Sequence, residues 1–119
     1  MINEASIAIS PKLPLREVDD NVPGLRVFEI VLNSSGTSVA PFKSARFTVD
    51  PGCITPVDSH SMREIWVVAA GSGELLYDDQ RVPMHTWDVV YLEPPKEHQV
   101  LNNGTDQLVV ISVWWDAPQ

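Results

Sequence analysis

The chain has 119 residues, 44% of them hydrophobic and 20% charged, with sixteen Asp and Glu against eight Lys and Arg and a formal net charge of -8. That balance describes one globular domain, able by area scaling to bury about two-thirds of its unfolded surface, and it excludes disordered and fibrous chains. It also excludes proteins that track phosphates or lie on anionic membranes, since both need basic faces, and leaves a small molecule or another protein as partner.

Residues 1–24 carry Pro11, Pro14 and Pro23 among polar neighbours, and only Ile7 and Ile9 alternate with theirs. An extended arm with at most one short strand is predicted there. The first residues lack the basic flank and apolar stretch of a secretory signal, and Cys53 is the single cysteine, so a reducing, cytoplasmic setting is expected. Residues 25–119 read as the folded β domain. Its runs 26–32, 45–49, 64–70, 74–77, 88–92, 99–101 and 107–115 are dense in Val, Ile, Phe, Tyr and Trp, the composition of strands. Turn residues separate them, as in Asp50-Pro51-Gly52, Gly71-Ser72-Gly73 and Asn102-Asn103-Gly104. Short strands at this rhythm form an antiparallel sandwich or barrel. The longest apolar runs, 65–70 and 108–115 with Ser112 inside it, fall far short of the ~20 residues that span a bilayer.

Three histidines, His60, His85 and His98, are present, and two lie close to carboxylates: Asp58, His60 and Glu64 in one segment, Glu97 and His98 in the other. Positions 58, 60 and 64 differ by even numbers, and a strand repeats every two residues, so in an extended chain these side chains face one way. Imidazole with carboxylate on one inward face is a candidate site for a divalent transition metal. The plainer reading is a hydrogen-bonded polar pair, and the metal reading needs a ligand from a second strand. His85 reads as a solvated turn residue, and Cys53 as a small buried filler. Arg46 either anchors an anionic substrate inside the fold or points outward. Trp114 and Trp115 cannot both face inward on one strand.

Gly52, five residues, Asp58, one residue, His60, three residues, Glu64, six residues and Gly71 resemble the first motif of the cupin family, with Asp58 where that motif has a histidine. Trp87, five residues, Glu93, Pro94, Pro95, two residues, His98, three residues and Asn102 resemble the second, with Trp87, Glu93 and Pro95 where it has Gly, Pro and Gly. The resemblance implies an all-β, single-domain antiparallel jelly-roll barrel that pairs into a homodimer. It places His60, Glu64 and His98 at metal-ligand positions and Asp58 at one by location. Trp66 and Val68 share the parity of Glu64, and Val100 and Asn102 that of His98; with Arg46 and Met62 they are the expected substrate pocket. Asp58 reads as a fourth ligand, as a general base beside the metal, or as a rim residue; without it the ligands are the two-histidine, one-carboxylate set of non-haem Fe(II) oxygenases. The implied function is a metal-dependent enzyme acting on a small, partly apolar metabolite by oxygenation, isomerisation, cyclisation or lyase chemistry. Its metal would be Fe(II) first, with Mn, Ni, Zn and Cu as alternatives. A ligand-binding or accessory cupin without turnover, and a dimer whose metal only ties strands together, are the competing readings.

Overall fold

Strands with apolar residues on alternate positions need a second layer to cover that face, and in this chain two antiparallel sheets cover each other. The computed structural model describes residues 11–34 and 36–116, so Ile7 and Ile9 lie outside the described residues. Eleven strands are present among the described residues: β1 (Leu15–Val18), β2 (Leu25–Ile30), β3 (Asn33–Ser34), β4 (Thr37–Ser38), β5 (Lys43–Val49), β6 (Met62–Ala70), β7 (Ser72–Tyr77), β8 (Gln80–His85), β9 (Val89–Leu92), β10 (His98–Leu101) and β11 (Leu108–Asp116). A six-stranded sheet runs β1-β2-β5-β11-β6-β9, a three-stranded sheet runs β10-β7-β8, and β3-β4 is a small separate hairpin. No helix among the described residues is long and apolar enough to cross a membrane.

The core lies between the two sheets. Trp66 and Val68 on β6 and Leu108 and Val110 on β11 meet Leu75 on β7 and Val100 on β10. Each such side chain, taken out of water, contributes about 1.5–3 kcal/mol. Cys53 packs against this cluster as a filler.

Each of the seven predicted runs forms a strand, with ends displaced by one or two residues. The predicted turn around His85 is a correction: residues 80–85 form β8. Proline and polar residues hid this strand, and its position explains why they are tolerated. It lies at the edge of the three-stranded sheet, with Pro83 opposite Glu74, and an edge strand can do without one N–H. Met84 nevertheless points inward and is fully buried. The expected arm contributes β1, which pairs with β2 and forms one edge of the six-stranded sheet. The Arg26 guanidinium bonds Glu17 across this pair and holds that carboxyl below its usual range; so exposed a pair adds little stability.

Two tight connections constrain the backbone. Gly71 alone joins β6 to β7 as the chain passes from the large sheet to the small one, with φ +76°, and a Cβ there would sit 2.5 Å from the Gln107 carbonyl oxygen. Trp87, between β8 and β9, also has a left-handed φ of 76°. Its side chain is 75% exposed, so little packing offsets the strain of a bulky L-residue in that region. Trp87→Gly is expected to stabilise the fold by about 0.5–1 kcal/mol, even after the unfolded-state entropy of glycine is counted. Calorimetry should show this as a melting temperature raised by roughly 2–6 °C; an unchanged or lower value would mean the indole contributes more than its backbone costs.

Candidate metal centre

The connection between β5 and β6 assembles the site. It runs beside β10 like an irregular extra strand: Thr55 N–H donates to the Val100 carbonyl at 2.9 Å, and Val100 N–H donates to Thr55 Oγ1 at 2.9 Å. Asp58 and His98 then exchange both backbone hydrogen bonds, at 3.0 and 2.9 Å, which sets Asp58 directly opposite His98. His60 follows in the loop, and Glu64 is reached on β6. The expectation of one strand with Asp58, His60 and Glu64 on a single face is therefore corrected. Only Glu64 lies on a regular strand, and the three converge because the chain crosses from the small sheet to the large one.

Glu64 is 8% exposed, and both its oxygens are engaged. Oε2 accepts from the Trp66 indole Nε1–H at 2.8 Å and from the Ser112 hydroxyl, while Oε1 lies 2.9 Å from His60 Nε2. His60 Nδ1 lies 3.0 Å from the Met62 carbonyl. A carbonyl can only accept, so Nδ1 carries the hydrogen of the neutral ring. That leaves the Nε2 lone pair aimed at a carboxylate oxygen unless a proton or a cation lies between them. Fixing one ring nitrogen on a carbonyl and presenting the other is how proteins orient metal-ligating histidines.

His98 comes from the opposite sheet. Its Nε2 is 3.7 Å from Glu64 Oε1 and 3.8 Å from Asp58 Oδ2. The ring is held edge-on by Trp66 and His60, with centroids 5.5 and 5.2 Å away, and its buried Nδ1 has no hydrogen-bond partner among the described residues. Donor atoms of Asp58, His60 and His98 all lie within 4.8 Å of one another, and Glu64 Oε1 sits beside both imidazoles. Ligands about 2.0–2.2 Å from a shared ion stand roughly 3–3.5 Å apart, close to the separations found here. Two imidazoles and one or two carboxylates are also a donor set that first-row divalent ions accept. The residues fit a metal. Asp58 is the outlying member, with its side chain 66% exposed at the rim.

A cavity of about 380 Å³ opens above these groups, bounded by Leu25, Val27, Ala45, Phe47, Pro56, Val57, Trp66 and Trp114, with Asp20, Thr55, Asp58, Glu64, His98 and Ser112 as its polar lining. Of the expected pocket residues, Trp66 lines it. Val68 and Val100 have the expected parity but are fully buried in the core, because parity gives the face and not the depth. Asn102 is a correction: its amide donates to the carbonyls of Val49 and Asp106 at 2.8 and 2.9 Å, and its Oδ1 accepts from Gly104 N–H at 2.9 Å, so it staples the turn after β10. Met62 lines a neighbouring groove with Trp115. Arg46 is also corrected; it lies on the opposite side of β5 from Ala45 and Phe47, with its guanidinium stacked 4.8 Å over Phe28. Trp114 lines the cavity while Trp115 does not.

Ser112 was missed as a site residue, although it is the one polar break in the apolar run of β11 and shares the inward parity of Val110 and Trp114. Its hydroxyl fixes the Glu64 carboxylate. Ser112→Ala should therefore weaken Mn²⁺ or Zn²⁺ binding by roughly tenfold or more while leaving the circular dichroism spectrum unchanged. Unaltered affinity by titration calorimetry would remove that role.

The family model for the Cupin domain matches residues 45–114, more than half of the chain. Among solved structures, the chain is similar to a cupin 2 conserved barrel domain protein from Salinispora arenicola CNS-205, at 37% identity and TM-score 0.72, covering 92% of this chain and 89% of that one. It is similar to the plu4264 protein from Photorhabdus luminescens at 25% identity and TM-score 0.70, covering 85% and 86%. A predicted oxalate decarboxylase from Thermotoga maritima shares the fold at 20% identity and TM-score 0.69, covering 98% and 100%. With its facing antiparallel sheets and both motifs at one site, the chain belongs to the cupin family.

Proposed function

We propose that this cupin is a metal-dependent enzyme acting on a small molecule held in the cavity that Asp58, Glu64 and His98 line, with His60 beside Glu64. The observation that carries the reading is the meeting of His60 Nε2, His98 Nε2 and Glu64 Oε1 beneath an apolar cavity, with Glu64 locked on its far side by Trp66 and Ser112. An ion bound there, Fe(II) first and Mn, Ni, Zn or Cu by the same ligand chemistry, would polarise a bound oxygen-containing group or handle dioxygen. The chain's own part is positional and protonic. Phe47 and Trp66, edge-to-face at 5.2 Å, exclude water and hold an apolar body against the polar floor. Asp58, solvent-connected and beside His98, is placed to accept a proton from a substrate in the cavity. The likeness to a predicted oxalate decarboxylase carries the fold alone and assigns no substrate.

Chelation should lower the melting temperature and added Mn²⁺ or Zn²⁺ should raise it, because the ligands come together only in the folded chain; at a hundredfold excess over the dissociation constant the gain is about 2.7 kcal/mol. His98→Ala should abolish that response. With the purified iron form, oxygen uptake on a metabolite panel tests turnover, and Asp58→Asn should slow it on the order of a hundredfold if Asp58 is the proton acceptor. Metal-dependent stabilisation with no turnover of any kind would move the protein to the ligand-binding class, and no metal response at all would defeat the reading.

A further inference from the structure

The charge lining the cavity is one-sided. Asp20 and Asp58 stand at its rim and Glu64 at its floor, and no lysine or arginine lines it among the described residues. Arg46, the nearest thing to an anion anchor in the sequence, stacks on Phe28 on the other side of the sheet. A divalent ion would be offset by Glu64 and Asp58 alone, which leaves Asp20 as excess negative charge. Without the ion, a carboxylate entering this space would give up its hydration without gaining a fixed cation, and would approach like charges in a partly apolar setting. An amine or a neutral molecule meets no such penalty. The walls add a shape preference: Phe47, Trp66 and Trp114, with Val27 and Val57, offer faces and edges to a flat apolar body. A void of about 150 Å³ holds a benzene ring, so a cavity of about 380 Å³ suits one or two rings.

We infer that the cavity selects a neutral or amine-bearing molecule with a flat apolar body and turns carboxylates away. This rests on the reading of the cavity as the substrate site, and it deepens that reading by naming the class of molecule.

Chelated protein and Zn²⁺-loaded protein are each titrated with benzylamine, benzyl alcohol and benzoate near neutral pH, three probes of similar size that differ in charge. Indole fluorescence follows binding, since Trp66 and Trp114 line the cavity. In the chelated form benzylamine and benzyl alcohol should bind at least about tenfold more tightly than benzoate, and Asp20→Lys should narrow the gap. Benzoate binding as tightly as the other two in that form, or no binding by any of the three, overturns the inference. Calorimetric titration with Zn²⁺ is run in parallel: if it shows no metal site, the enzymatic reading falls while the ligand order in chelated protein still decides this one.

Discussion

A carboxylate removed from water must be compensated on all sides, because an unpaired buried charge costs several kcal/mol. Glu64 is such a group, and the fold is arranged around meeting its demand. Trp66 two residues along β6 supplies an indole N–H, Ser112 on the adjacent β11 supplies a hydroxyl, and His60 in the preceding loop faces the remaining oxygen. Three separate parts of the chain are thereby committed to one point. The order imposed on Trp66 extends upward, since its ring meets both Phe47 and His98 edge-on. Cavity wall, cavity floor and ligand set are mechanically one unit.

The second constraint is the crossing of residues 52–58 along β10. Its backbone pairing with Val100 and His98 brings the small sheet's histidine to the large sheet's glutamate. The far end of that crossing is held by Asn102, whose amide and backbone tie the end of β5, the loop at residues 52–53 and the turn after β10. The asparagine of the second motif thus acts at a distance. It fixes the path of the strand that carries His98 and has no surface in the cavity. The candidate site is thus held by backbone pairing and by side-chain hydrogen bonds on both of its sides.

Much of this was legible in the amino-acid order, and the parts that were not share a physical cause. Alternation reveals strands buried on one face, so β5, β6 and β11 were plain. An edge strand keeps few inward residues and tolerates proline, so β8 with Pro83 read as a turn although Met84 is buried. The resemblance to the two cupin motifs singled out His60, Glu64 and His98, which do meet. Their meeting, however, depends on a loop crossing and a backbone bridge, which even-numbered spacing misrepresents as a single straight strand. Parity separated the face of Trp66 from that of Ile65, yet it carries no information on depth along the barrel, which is why Val68 and Asn102 were placed in the cavity. Arg46 could have been resolved by the same rule applied strictly: Phe47 beside it lines the cavity, so Arg46 must face the other way. Ser112 was visible as a polar interruption, and what it bonds could be learned only from the neighbouring strand.

The central claim is that His60 and Glu64 meet as part of a metal site and not as a self-sufficient ion pair. Both would place an imidazole nitrogen near a carboxylate oxygen, and they differ in what lies between. Anomalous diffraction from crystals of the Zn²⁺-loaded protein, collected at the zinc absorption edge, tests this most directly. The account predicts one strong peak about 2.0–2.2 Å from His60 Nε2, His98 Nε2 and Glu64 Oε1. Crystals that show no peak there, with His60 still bonded directly to Glu64, would contradict it.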